Sequence, residues 1–330
     1  MKTAVLGAGA WGTALADMLA KNGRKTVLWA RSPELISQLR QHRENRTYLP
    51  GIPLSPDLSF TSDATEAFEG ADVFLVVIPS QYLRSFLETH RDLLPHKPVM
   101  VCASKGIELG SLAPMSRVVA EALEGKEPRY AMLSGPSFAD EVARECPTSV
   151  ALGCEDQDLG KQLRELFSNS FFRVYSTRDY TGVELGGAVK NVMAIATGMA
   201  DGLEFGTNAR AALITRGLAE MSRLGAAMGA NVKTFMGLSG MGDLVLTCTG
   251  DLSRNRQVGL KLGQGRKLDD IVGETQSVAE GVKTTRSLYD LSRKIGVELP
   301  ITSQVYKIIY EGKNPEDAVI ELMGRELKEE

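Results

Sequence analysis

Long apolar runs, cysteine frameworks, basic clusters and histidine are what this 330-residue sequence has least of, and each shortage excludes a class of function. The most apolar run, Val73-Phe-Leu-Val-Val-Ile78, is far too short to span a bilayer and reads as a buried parallel strand, so no membrane insertion is expected. The cysteines Cys102, Cys146, Cys154 and Cys248 form no C-x-x-C pair and no framework spacing. That fits a reduced, cytoplasmic compartment and gives no ground for a catalytic thiol. No signal peptide is expected either, because Met1-Lys2 runs directly into a strand. A net charge of -3 without basic runs argues against nucleic acid or an anionic membrane as partner, so any anionic ligand must be caught by a local cluster. His42, His90 and His96 lie in polar surroundings without a partner at metal spacing. They read as surface residues, and no metal is expected.

What is present begins at the N-terminus. Ala4, Val5 and Leu6 drive into Gly7-x-Gly9-x-x-Gly12, and apolar residues then recur at helical spacing through Leu15, Met18 and Leu19. That is strand, tight turn and helix. Gly7 permits the turn, Gly9 lets the backbone approach a pyrophosphate, and Gly12 lets the helix pack close to the strand. The phosphates then meet unsatisfied N–H groups at the positive end of the helix dipole. About twenty residues on, a second β run ends where an NAD-specific protein offers an acidic residue to the ribose. Here it ends in Arg31-Ser32. A guanidinium suits a 2′-phosphate, which favours NADPH without excluding NADH. The alternative is that Arg31 is a solvated strand-end charge and Glu34 takes the acidic role where the turn curls back.

Strands alternate with helices as far as residue 176, which specifies an α/β architecture, a doubly wound parallel sheet of Rossmann type over residues 1–178. Ligands of such sheets collect beyond the carboxyl ends of the strands. There stand Gly7 to Gly12, Arg31, Ser104-Lys105 and Gly135-Pro136-Ser137. Residues 179–330 read as an all-helical second domain led by one long helix from Tyr180 to about Leu203, apolar on most of its circumference. Its glycines, Gly198 among them, imply that another helix or the nicotinamide end of a cofactor comes close.

Within that helix Lys190 and Asn191 are the only polar residues from Leu185 to Ala196. A lysine in low dielectric is a candidate general base, since desolvation disfavours its ammonium form; the alternative is a stem snorkelling to the surface. Asp243, in the glycine loop from Ser239 to Leu244, could hold Lys190 or a substrate hydroxyl, or could cap a helix. Ser253, Arg254 and Asn255 fall at a helix start, which is either an anion site with a bidentate arginine or a cap beside a surface arginine.

With these residues in place, the chain closely resembles the soluble, bacterial-type NAD(P)-dependent glycerol-3-phosphate dehydrogenases. The likeness is carried by Gly7-Ala-Gly-Ala-Trp-Gly-Thr-Ala14, Ser104-Lys-Gly-Ile-Glu108, Leu133-Ser-Gly-Pro-Ser137, Gly182-Val-Glu-Leu-Gly-Gly-Ala-Val-Lys-Asn191, Ala212 to Glu220, Gly240-Met-Gly-Asp-Leu244, Ser253-Arg-Asn255 and Glu280-Gly281. The resemblance implies that Lys190 accepts the proton and that Lys105, Gly135, Ser137, Lys190, Asp243, Ser253, Arg254 and Asn255 surround the substrate. It also implies that Trp11, Arg31, Lys105, Ala139, Arg254, Val278 and Glu280 contact the cofactor, NADP or NAD. Ala10 departs from the serine common in the family, so a hydroxyl contact is missing while the backbone cradle of Gly7, Gly9, Ala10 and Gly12 stays intact. The implied substrate is a phosphorylated triose, reduced reversibly to sn-glycerol 3-phosphate for phospholipid synthesis. The apolar helical domain suggests a homodimer. The rival readings are a related 3-hydroxyacid or ketopantoate-type reductase, and a non-catalytic NADPH sensor.

Overall fold

Eight short runs rich in branched and aromatic residues pair into one sheet in the computed structural model, which describes residues 1–273 and 279–326. They are β1 Lys2–Leu6, β2 Lys25–Trp29, β3 Ser59–Thr61, β4 Val73–Val76, β5 Val99–Cys102, β6 Arg129–Ser134, β7 Thr148–Gly153 and β8 Phe172–Thr177. Their order across the sheet is β8-β7-β6-β5-β4-β1-β2-β3. From β3 to β6 every pair is parallel, the doubly wound order with its switch point beside β1. The ends of β1, β2, β4, β5 and β6 therefore share one edge.

The sheet departs from the expected all-parallel pattern at one pair, because β7 runs antiparallel to β6. The link from β6 to β7 holds the five-residue helix Ala139–Ala143. Helix length does not decide the direction, because the equally short helix Ala64–Phe68 joins β3 to β4, and those two strands run the same way. The next link carries the eleven-residue helix Gln157–Phe167, about 16 Å, and β8 is again parallel to its neighbour β7.

A second difference lies between β2 and β3. The polar segment around Asn45 forms a small antiparallel hairpin, Glu44–Asn45 with Leu49–Pro53, although Pro50, Gly51 and Pro53 are residues that mark loops. A third concerns His90, which is not a plain surface residue. It is half-buried, its ring centroid 4.5 Å from that of Phe86.

The chain divides into two compact units, Met1–Lys105 with Ala113–Glu184, and Gly106–Leu112 with the residues from Leu185 onward. The division falls inside the long helix Tyr180–Gly202, a few residues past the expected boundary. The reason is local. Glu184 is bound to Ser116 and Tyr130 of the first unit, whereas Leu185 onward builds the second core, which also takes in Ile107.

From Leu185 onward the regular elements of the second unit are helical among the described residues. The long helix is buried on every side from Gly182 to Ala200, as an all-round apolar helix must be. What comes close to its glycine is another helix. A Cβ on Gly198 would lie 2.1 Å from the carbonyl oxygen of Arg256, and one on Gly259 would lie 2.1 Å from that of Ile195. The long helix and Arg254–Gly263 thus meet backbone to backbone. Among the described residues, no helix is long and apolar enough to cross a membrane.

Candidate active site

In the first unit the turn after β1 sorts its glycines by cause. Gly7 has φ +119°, and a Cβ there would lie 2.6 Å from the carbonyl oxygen of Val77; one on Gly12 would lie 1.9 Å from that of Gly7. The chain's own packing therefore requires both. Gly9 is different: its backbone is extended, with φ −71° and ψ −179°, and a Cβ would meet nothing within 4 Å. Neither strain nor a neighbour asks for glycine there. A ligand laid against the backbone would ask for it, and that ligand would face the N-terminus of helix Ala10–Lys21. Beside the turn, Trp11 Nε1 is buried and has no hydrogen-bond partner among the described residues. The residues present fit a dinucleotide.

The other expected residues of this unit stand along the same sheet edge. Arg31 follows β2 and is exposed. Ser32 caps the next helix by accepting from Leu35 N at 3.1 Å, and its hydroxyl donates to Glu34 Oε2 at 2.6 Å. That hydrogen bond turns Glu34, the acidic alternative, toward its own helix cap. Lys105 follows β5 and is half-buried, and Gly135 follows β6. A Cβ on Gly135 would lie 2.8 Å from Val150 Cα, so the antiparallel passage of β7 already accounts for that glycine. Ser137 Oγ donates to the Gly135 carbonyl at 2.9 Å, and Ala139 opens the short helix.

In the second unit the long helix delivers Lys190 to a buried carboxylate. Lys190 is 8 % exposed and Asp243 0 %; Nζ hydrogen-bonds Asp243 Oδ1 and donates to Thr247 Oγ1 at 3.0 Å. The lysine does not snorkel. Asp243 lies in the first turn of helix Asp243–Thr249, after a helical turn over Leu238–Gly242 rather than an open glycine loop. It holds Lys190 and is not the helix cap. Thr247, one turn on, donates to the Asp243 carbonyl at 2.6 Å.

Next to this pair, Asn191 Oδ1 accepts from Asn255 Nδ2 at 3.0 Å, and Asn255 Oδ1 accepts from Gly281 N at 3.0 Å. Asn255 thereby ties three helices together. Ser253 is buried and caps helix Arg254–Gly263, accepting from Arg256 N at 3.3 Å. Arg254 stands exposed at the first position of that helix, and Glu280, half-buried, is the first residue of Glu280–Ile295. Val278 lies outside the described residues. Cys248, close by, has its thiol pushed up to about 12 by burial, as does Cys102 in the first unit. Neither is an activated nucleophile.

A glycine turn that fits a dinucleotide on one unit and a buried lysine–aspartate pair on the other match a two-part family. The family model for the N-terminus of NAD-dependent glycerol-3-phosphate dehydrogenase covers residues 2–160, and that for its C-terminus covers residues 179–320. The chain belongs to the NAD-dependent glycerol-3-phosphate dehydrogenase family. It is 62% identical over 330 residues to a glycerol-3-phosphate dehydrogenase [NAD(P)+] of Maridesulfovibrio salexigens, covering 100% of both chains. It is 55% identical over 330 residues to one from Geobacter sp. strain M21, covering 100% of this chain and 98% of the relative. The crystal structure of glycerol-3-phosphate dehydrogenase from Coxiella burnetii is similar at TM-score 0.94 and 40% identity, covering 98% of this chain and 99% of that one.

Sequence reasoning about this glycerol-3-phosphate dehydrogenase family member passed over Thr247 and gave Asn191 no task. Both had a signal. Thr247 is four residues past Asp243, which places it on the same helical face. Asn191 interrupts an apolar helix, where a polar amide needs a partner. Neither the Arg256–Asp201 ion pair, at 2.8 Å, nor the Asn45 hairpin had been singled out.

Proposed function

We propose that the chain catalyses reversible hydride transfer between NAD(P)H and dihydroxyacetone phosphate, giving sn-glycerol 3-phosphate. The observation that carries this reading is the ion pair of Lys190 with Asp243, deeply buried on a helix of a chain that also bears a dinucleotide turn. A bound nicotinamide supplies or accepts the hydride. The protein's residues do the rest. Lys190, held as an ammonium by the Asp243 carboxylate, gives its proton to the C2 oxygen in the reducing direction and takes it back in the oxidising one. Asp243 balances the ammonium charge before transfer and favours return of the proton after it, and Thr247 restrains the Nζ rotamer through the hydroxyl that accepts from it. The N-terminus of helix Arg254–Gly263, with the exposed Arg254 guanidinium, attracts the substrate phosphate by dipole and charge. Lys105, Gly135 and Ser137 complete the substrate contacts. Gly7 to Gly12, Ala139 and Glu280 serve the cofactor, and Arg31 is assigned the 2′-phosphate, which makes NADPH the preferred form.

The product is a glycerophospholipid backbone, and supply of that backbone is the physiological role in this reading; a homodimer is the proposed assembly. The test is NADPH oxidation on addition of dihydroxyacetone phosphate, run beside a panel of oxo-acids without phosphate. Consumption with the triose phosphate alone is expected. Turnover of a ketopantoate-like acid instead, or tight NADPH binding with no turnover, would replace the reading with one of its rivals.

A further inference from the structure

The glycine turn is backed by a side chain that the reaction above does not use. Asn45 is 0 % exposed, and its Nδ2 donates to the Ala8 carbonyl oxygen at 3.0 Å and to the Thr13 hydroxyl at 2.8 Å. Its Oδ1 accepts from Tyr48 N at 3.1 Å. One amide therefore joins the turn, the first turn of the following helix and the hairpin that carries it.

The bond to Ala8 has a directional consequence. A peptide unit is planar and trans, so its C=O and N–H point to opposite sides. With Ala8 oxygen held against Asn45, the N–H of the same peptide, that of Gly9, is aimed away from the hairpin. The next peptide is held too, because Gly9 oxygen accepts from Thr13 N at 2.9 Å. We propose that Asn45 is a positioning residue for the cofactor pyrophosphate: it aims the Gly9 N–H at the phosphate oxygens and keeps the Ala8 carbonyl, which would repel them, turned to the rear. This rests on reading the turn as the NAD(P) cradle. Full burial makes the task specific, since no water is at hand to replace a lost donor.

The test compares the parent apoprotein with Asn45→Asp, which keeps the acceptor for Tyr48 N but loses the donors, and Thr13→Val, which keeps the volume but releases the other end of the clamp. Calorimetric titration measures NADPH. Competition measures adenosine 2′-monophosphate, which has no pyrophosphate. Asn45→Asp should weaken NADPH about 10- to 100-fold and Thr13→Val about 3- to 10-fold. Affinity for the monophosphate should change less than about twofold, and kcat at saturating cofactor should stay within about twofold. An unchanged NADPH affinity in Asn45→Asp overturns the proposal, as does an equal loss for the monophosphate, which marks general damage. Should Asn45→Asp not fold, Thr13→Val decides by the same split. A parent protein that fails to bind NADPH overturns the cradle reading and this inference with it; a parent that binds beside unaffected variants overturns this inference alone.

Discussion

Lys190→Ala should do two separable kinds of damage. The lysine and Asp243 are 8 % and 0 % exposed. Removing the ammonium leaves a carboxylate buried with the Thr247 hydroxyl, 3.4 Å from Oδ1. Breaking a buried pair from one side costs about 3–5 kcal/mol, a large share of the roughly 5–15 kcal/mol that holds a protein together. At about 2–4 °C per kcal/mol, the melting temperature should fall by roughly 6–20 °C. Loss of the proton donor should lower turnover by about 10²–10⁴-fold, or roughly 3–5 kcal/mol of barrier. The double variant Lys190→Met with Asp243→Leu separates the two effects, since exchanging a buried pair for apolar residues of like volume is often neutral. Thermal unfolding and NADPH-coupled kinetics on the parent, single and double variants make the assay. The double variant should recover its melting temperature and stay inactive, with NADPH still bound. If turnover returned along with stability, Lys190 would be a packing residue and the proton-transfer role would be refuted.

Gly9→Ala should fold at the parent's melting temperature yet lose at least about tenfold in NADPH affinity, while Gly7→Ala, forced against the Val77 carbonyl at φ +119°, should give little folded protein. Equal behaviour of the two in a melting and titration series would count against a ligand at Gly9. Arg31→Ala should weaken NADPH more than NADH in the same titration, and equal losses would remove the 2′-phosphate contact. Burial pushes the carboxyls of Glu184 and Glu220 up to about 7 from 4.5. The folded chain therefore holds protons that the unfolded chain releases between those values, and both groups lower stability as pH rises through that window. Glu220→Gln should thus gain on the parent by up to about 3 kcal/mol from pH 5 to pH 8 in denaturant melts. A stability difference that does not move with pH would show that Glu220 does not titrate there.

Local signals were legible and partnerships were not. Gly7, Gly9 and Gly12 announce their turn by their spacing between a strand and a helix, although only Gly12 has its close neighbour nearby in sequence, the Gly7 carbonyl, while Gly7 itself faces Val77. The antiparallel reversal at β7 was not legible, since the equally short helix Ala64–Phe68 joins two strands that run the same way. Asn45 gave no warning, since Arg43-Glu44-Asn45-Arg46-Thr47-Tyr48 has no alternation to mark a strand, and its importance lies in a carbonyl at Ala8 that no side-chain pattern encodes. His90 read as exposed for a similar reason. Its neighbours in sequence are polar, while its neighbours in space are Phe86, Trp29 and Phe68.

The long helix shows why those partnerships matter for the chemistry. An apolar helix buried on every side is held in register by the fit of its surface, here by the close approach at Gly198, and its polar residues add discrete partners to that fit. This helix is interrupted by polar residues, and each is answered by a different segment. In the first unit Glu184 accepts from Ser116 N and Oγ, both at 2.8 Å. In the second, Lys190 meets Asp243 and Thr247, Asn191 meets Asn255 at 3.0 Å, and Asp201 meets Arg256 at 2.9 Å and Arg210 at 2.8 Å. A shift of one residue would leave several of these buried groups unpaired at about 1–3 kcal/mol each, more for the charges. The polar pairs add little net stability, but they hold the helix to a single register. The position of the Lys190 nitrogen is thus determined from both sides along its own helix, as the proposed role of proton donor requires, since a displacement of about 1 Å can cost a hundredfold in rate.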